Sequence, residues 1–286
     1  MGKGTLHIIL GPTGVGKSRY AVDMAQRLGC SIINADSRQI YREIPICTDA
    51  PTKEMLTKVH HHFVGTHSIH DQYSAGHYEQ DALKVIREEI ERHGNALLAG
   101  GSMMYIDAVT NGIDDIPDID PQLRKEVLDE YNEKGLEHMR QQLQRLDPEH
   151  YKVCDLNNWR RVLHAIEVCR QSGSTFTSLR KGRNNERDFD IVKIGIIRER
   201  ETLYKRIDDR VLRMIERGLR DEAEAMLPYR HLNALNTVGM KEMFGYFDGL
   251  YDINEAIRLI QRNTRHYARK QMTWFRHDNT IKWICI

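Results

Sequence analysis

The stretch that decides the fold is Leu6–Gly29, LHIILGPTGVGKSRYAVDMAQRLG. The apolar run Leu6–Leu10 reads as a fully buried strand, GPTGVGKS as a glycine-rich loop, and the pattern from Ser18 to Leu28 as a helix that stops at Gly29. Strand, loop and helix in this order form a phosphate-binding loop. Gly11, Thr13, Gly14 and Gly16 let backbone N–H groups curl round phosphate oxygens at a helix N-terminus. Pro12 and Val15 complete the loop, Lys17 adds a positive charge, and the hydroxyl of Ser18 is placed to hold Mg²⁺. Phosphate binding alone does not say whether the phosphate is moved, cut or discarded.

Further apolar runs at Ser31–Ala35, Ala96–Ala99, Ile191–Ile197 and Ile281–Ile284 predict a mostly parallel sheet flanked by helices. One of those helices is Ser74–His93, closed by Gly94. Between Gly112 and about Asn184 the strand signal disappears, and DIDPQLRKEVLDEYNEKG opens a helix with Asp120 as cap and Pro121 in the first turn. The expected architecture is α/β: a P-loop NTPase-like core, residues 1–112 and 185–286, with an inserted all-helical domain, residues 113–184. The polar stretch Lys181–Arg187 would be the return linker.

With 286 residues, 29% of them charged and 40% hydrophobic, the chain can bury a large core and lacks a disordered composition. The five cysteines form no CxxC pair, which argues against a sulfur zinc site or disulfide frame and for a reducing, cytoplasmic setting. No apolar run reaches membrane-spanning length. A monomer is expected. The net charge of +1 favours no partner, so the distribution of charge matters more. On the final helix, read as Asn254–His277, Arg258, Arg262, Arg265, Arg269 and Arg276 share one face while Ile257, Ile260, Ala268 and Phe275 share another. That basic ridge is either a solvated face or a surface for nucleic-acid phosphates.

Two more strand ends carry polar groups. NADSRQIY, Asn34–Tyr41, puts Asp36 at the carboxyl edge of the sheet, where it could cap the turn, orient a metal-bound water or act as a base. GGSMMY, Gly100–Tyr105, offers two glycines for close backbone approach and the hydroxyl of Ser102. No NKxD-like motif is present and no apolar run ends in aspartate, which weakens a GTPase or a motor ATPase reading. His60–His62 point in different directions and make a poor chelate. Arg160, Arg161 and His164, within DLNNWRRVLHAIEV, are either surface charge or RNA contacts.

Taken together these motifs resemble one family, the tRNA dimethylallyltransferases (tRNA isopentenyltransferases, the IPP transferase family). The likeness runs almost end to end: GPTGVGKS, DSRQIY, GGSMMY, NNWRRVLHAIEV, VGMKE, and the long C-terminal TRHYARKQMTWFR, Thr264–Arg276. It implies transfer of a dimethylallyl group from dimethylallyl diphosphate to N6 of the adenosine 3′ to the anticodon in tRNA, with diphosphate released. It also implies roles. Asp36 takes the proton from N6 and Ser102 positions the amine. The loop Gly11–Ser18, Lys17, Mg²⁺ on Ser18, and Arg198 or Arg210 hold the leaving diphosphate. Ser37, Arg38 and Gln39 meet the flipped base of the anticodon stem-loop, while Arg124, Arg160, Arg161, His164, Arg265 and Arg269 meet its backbone. Two positions depart from the family. Ser102 stands in place of the usual threonine and keeps the hydroxyl. His164 stands where arginine is common, so the contact it implies is weaker or pH-dependent. No Cys/His zinc finger of the eukaryotic kind is present, which points to the bacterial type. A small-molecule kinase would share the loop and Asp36 but leaves the C-terminal motif unexplained. A nucleotide-gated RNA-binding module would bind tRNA and ATP without product.

Overall fold

A computed structural model describes residues 3–114, 116–180 and 186–286. Along the chain it forms β1 (Thr5–Leu10), α1 (Lys17–Leu28), β2 (Ile32–Ala35), α2 (Lys53–Lys58), β3 (His61–His62), α3 (Ala75–His93), β4 (Asn95–Gly100) and α4 (Met103–Asn111). The helices α5 (Pro121–Leu146), α6 (Pro148–Val153), α7 (Trp159–Ser172) and α8 (Phe176–Leu179) follow. The chain then completes β5 (Asp190–Ile197), α9 (Arg200–Glu216), α10 (Leu219–Ala225), α11 (Met240–Phe247), α12 (Ile253–Phe275) and β6 (Lys282–Cys285).

Six strands form one sheet in the order β3-β2-β4-β1-β5-β6, and each paired neighbour runs parallel. β1 lies near the centre, between β4 and β5, and its Leu6, Ile8, Ile9 and Leu10 are buried as a two-sided parallel strand requires. Leu6, Ile8 and Leu10 pack with Tyr78, Ala82 and Ile86 of α3, while Ile9 packs on the other face with Ala21, Val22 and Ala25 of α1. Among the described residues no helix is long and apolar enough to cross a membrane.

The chain divides into two compact units, Met1–Thr110 with Glu186–Ile286, and Asn111–Asn185. The second closes its own core, in which Val127, Met139 and Leu143 of α5 meet Val162, Leu163 and Ile166 of α7 and Phe176 of α8. Asp120 caps α5 by accepting from Gln122 N at 2.8 Å and Leu123 N at 3.2 Å. Gly135, at φ 77, where the stretch DIDPQLRKEVLDEYNEKG ends, breaks α5 into two helical pieces.

Three other readings change. His61–His62 form a two-residue edge strand, with Ile32 opposite His61, too short and too polar for periodicity to reveal. Lys181–Asn185 of the expected linker lie outside the described residues, and Arg187 at its end is an anchor. Its side chain donates to the carbonyls of Val109 and Ala108 at 2.8 and 2.7 Å and pairs with Glu79 at 2.7 Å. The arginine face of α12 is partly neutralised: Glu255 pairs with Arg258 at 2.6 Å, and Asp208 of α9 pairs with Arg265.

Candidate active site

The phosphate loop starts where β1 ends. Gly11 has φ 145, and a Cβ there would lie 2.5 Å from the carbonyl oxygen of Ile196, so only glycine fits beside β5. Gly16, at φ 110, precedes α1 with no side-chain cap. Among the described residues no acceptor takes the amides of Gly16, Lys17 or Ser18, which leaves them for an anion. The loop is braced through its carbonyls, from within and from outside. Lys17 Nζ donates to Pro12 O at 2.9 Å, Arg206 Nε to Gly14 O at 3.0 Å, and Arg198 Nε to Val15 O at 2.8 Å.

One loop amide is already spent. Thr13 N donates at 2.9 Å to Gln271 Oε1, and Gln271 Nε2 donates at 2.8 Å to Gly101 O. Gln271, buried at 2% exposure, thereby ties the loop to the end of β4. The N–H of Thr13, which the loop motif offered to a phosphate, is therefore already taken.

Asp36 follows β2, and of the roles open to it the cap is the one its contacts fill. Oδ1 accepts Arg38 N at 2.9 Å and Gln39 N at 3.4 Å, which caps the turn; Oδ2 takes no partner among the described residues. Ser102 stands behind this turn. Its buried hydroxyl accepts Ser37 N at 2.8 Å and donates to Ser37 Oγ at 3.1 Å, while its own N–H reaches Ala35 O. The structure thus puts Ser102 in support of the Asp36–Ser37 turn and not on a cavity wall.

Two cavities open beside this turn. A cleft of about 260 Å³ is lined by the loop, Lys17, Ser18, Gln39, Asp49 and three arginines of α9, Arg206, Arg210 and Arg213, with Ala21, Ile32, Met55 and Ala99 as its apolar side. A second cavity, about 490 Å³, is lined by Ser37, Arg38, Lys241, Asn263, His266, Tyr267 and Lys270 among others. Thr13, Asp36 and Arg210 line both. Burial of its ammonium lowers the Lys17 pKa to about 8, an effect opposed by the nearby Asp36 charge and reinforced by Arg210.

The expected site residues are therefore sorted by position. Arg210 faces the cleft; Arg198 backs the loop and does not line either cavity. Gln39 lies in the smaller cleft with its amide on the carbonyls of Thr48 and Asp49, while Arg38 reaches back to Asn233 O and Ala234 O. In the helical unit, Arg160 and Arg161 are exposed, and Arg160 lies 4.9 Å over the Trp159 ring. Arg124 and His164 both face buried Glu167, at 3.7 and 3.6 Å. On α12, Arg269 is exposed and Arg265 is paired. Arg206, Arg213, Asp49 and Gln271 escaped the sequence reading. The spacing of Arg206, Arg210 and Arg213 on one face of α9 was the signal available for the arginines. Glu242 of the VGMKE motif is a brace: it accepts Gly239 N and Asn263 Nδ2, each at 2.7 Å.

A parallel sheet with a glycine loop at its carboxyl edge, facing a cationic helix, defines a P-loop-like α/β protein. The IPP transferase family profile matches residues 39–278. The chain belongs to the IPP transferase family. It is 57% identical over 279 residues to tRNA dimethylallyltransferase 1 of Porphyromonas gingivalis, covering 98% of this chain and 93% of that protein. It is 49% identical to tRNA dimethylallyltransferase 1 of Bacteroides thetaiotaomicron, with 98% and 91% covered. Among solved structures, the full-length tRNA isopentenylpyrophosphate transferase of Bacillus halodurans is 34% identical, with a TM-score of 0.71 over 99% of this chain and 90% of that one. A eukaryotic dimethylallyltransferase acting on tRNA, 24% identical, shares the fold with a TM-score of 0.82, covering 99% of this chain and 74% of its own.

Proposed function

We propose that the protein transfers a dimethylallyl group from dimethylallyl diphosphate to N6 of the adenosine 3′ to the anticodon in tRNA. The observation that carries this reading is the placement of Asp36 on the wall common to two cavities, one lined by phosphate-binding groups and the other large enough for a base. Names of relatives up to 57% identical support the same reaction.

The diphosphate lies against the free loop amides, Lys17, Arg206 and Arg210, and the five-carbon chain against Ala21, Ile32, Met55 and Ala99. Adenine N6 enters from the larger cavity, past Ser37, Arg38 and Tyr267. Its bond to the allylic C1 forms as the C1–O bond breaks, pyrophosphate leaves with the electron pair, and Asp36 Oδ2 takes the N6 proton. Ser102 holds the turn that aims Asp36. Among the described residues no three His, Cys, Asp or Glu side chains converge into a metal cage. The donor set fits a Mg²⁺ that takes few protein ligands and several phosphate oxygens and waters, with Ser18 as the protein hydroxyl. Such an ion would neutralise charge on the departing diphosphate.

The test is mass spectrometry of an unmodified anticodon stem-loop incubated with protein, Mg²⁺ and dimethylallyl diphosphate, with ATP in a parallel reaction. A gain of one C5H8 unit on the adenosine beside the anticodon is expected. No gain, with ATP consumed in the parallel reaction, would instead identify a kinase or ATPase.

Lys17 gives the cleft a pH dependence of known sign. With a pKa of about 8 in the free protein, it is protonated below that value and neutral above it. An anion beside it favours the charged form. Pyrophosphate affinity of the wild type relative to Lys17→Met should therefore be constant below about pH 7 and fall up to about tenfold per unit above pH 8. Calorimetric titrations across this range check it; a flat ratio would show that Lys17 does not face the anion.

A further inference from the structure

The cleft carries a carboxylate that already uses one of its arginines. Asp49 lies in the left-handed region, φ 49, which aspartate tolerates better than most side chains. The turn around it is pinned. Glu222 accepts the amides of Ile46 and Cys47 at 2.8 and 2.7 Å, Gln39 Nε2 donates to the carbonyls of Thr48 and Asp49 at 3.1 Å, and Asp49 N returns to Ile46 O at 3.0 Å. The carboxylate so fixed meets two arginines: Oδ2 accepts Arg210 Nε at 2.7 Å, and Oδ1 accepts Arg217 Nη1 at 2.9 Å. Arg210 also donates to Thr13 Oγ1 of the phosphate loop and lines both cavities.

We propose that Asp49 is a resident counter-anion that acts through Arg210 to weaken the hold of the cleft on pyrophosphate, and that Arg217 sets the strength of this effect by sharing the Asp49 charge. The inference rests on the reading of the cleft as a diphosphate site. Five cationic side chains line that cleft, Lys17, Arg19, Arg206, Arg210 and Arg213, against the carboxylates of Asp36 and Asp49. A diphosphate gripped by so many cations leaves slowly. A fixed carboxylate on the same guanidinium repels the product and holds Arg210 in place between turnovers. Asp49 is thus a positioning residue with a second, electrostatic effect, and the two effects predict opposite signs when its charge alone is removed.

The experiment is calorimetric binding of inorganic pyrophosphate to the full chain, paired with pyrophosphate inhibition of prenyl transfer. Asp49→Asn keeps an oxygen for Arg210 and loses the charge. Its affinity should rise about tenfold, with inhibition strengthening in parallel and kcat falling while donor KM does not rise. Arg217→Met, at an exposed position, leaves the Asp49 charge entirely to Arg210 and should weaken binding several-fold. Unchanged or weaker binding in Asp49→Asn would overturn the proposal and leave Asp49 as a brace. Should Asp49→Asn not fold, unchanged or tighter binding in Arg217→Met overturns it equally. Wild-type binding that Lys17→Met does not reduce would instead remove the diphosphate site itself, and the proposal with it.

Discussion

Asp36→Asn is expected to lower kcat by roughly 10²–10⁴-fold, the usual worth of a positioned base, with little change in donor KM at pH 7. Asparagine is the informative replacement because Asp36 does two things. Its Oδ1 holds the amides of Arg38 and Gln39, and an amide oxygen can keep those bonds. Its Oδ2 is the group that would take the N6 proton, and an amide nitrogen cannot. Alanine removes both functions, so the difference between the alanine and asparagine variants measures the cap alone. Single-turnover transfer to the stem-loop separates chemistry from product release. An asparagine variant with near-normal kcat would leave Asp36 as a cap and nothing more. The same variant carries an internal check. Asp36 charge favours the ammonium of Lys17, so its removal should move the pH limit of pyrophosphate binding downward.

The second large effect concerns the fold. Gly100→Ala should prevent folding or cost more than about 4 kcal/mol, because its Cβ would lie 2.1 Å from the carbonyl oxygen of Ala35 and 2.3 Å from the carbon. Both obstructing atoms are backbone of β2, which pairs with β4 in register at this point. No rotamer change can relieve the clash; the strands must part. Gly101→Ala makes a useful contrast, since its nearest neighbour is the end of the Gln271 side chain at 2.4 Å, which can swing away. That variant should fold while losing the brace between Gly101 and Thr13, and its deficit should appear in pyrophosphate binding. Denaturant titrations of the two proteins decide the matter, and a Gly100→Ala protein of near-normal stability would show that the sheet edge yields.

The sequence made the core legible because its central strands, β1, β2 and β4, are largely buried on both faces and so read as mainly apolar runs. β1, β2, β4, β5 and β6 each appear within about a residue of the expected span. Motif context located the loop, Asp36 and the Gly100–Ser102 edge for the same reason, since each lies at the end of such a run. Partnerships across long separations stayed hidden. Gln271 sits in a recognised motif, but only the folded chain brings it to Thr13 and Gly101. Ser102 faces Ser37 instead of a cavity, which alternation along a strand does not dictate. Arg265 looked free because its acid, Asp208, belongs to another helix. Asp49 showed no signal: a lone aspartate in a turn is ordinary until two arginines converge on it.

The place of β1 in the sheet has a consequence for synthesis. Its two neighbours, β4 and β5, are separated by about 90 residues, including the four helices of the second unit. At roughly 5–20 residues per second, a ribosome takes several seconds to cross that interval. Throughout it the loop strand has a partner on one side only, and its other edge offers unpaired backbone groups. Lys17, Asp36 and Ser102 have by then been made, while Arg206, Arg210 and Gln271 have not. The helical unit carries its own apolar core and can close while β1 waits. The phosphate loop, made before β5, α9 and α12, is therefore completed only when they have followed it.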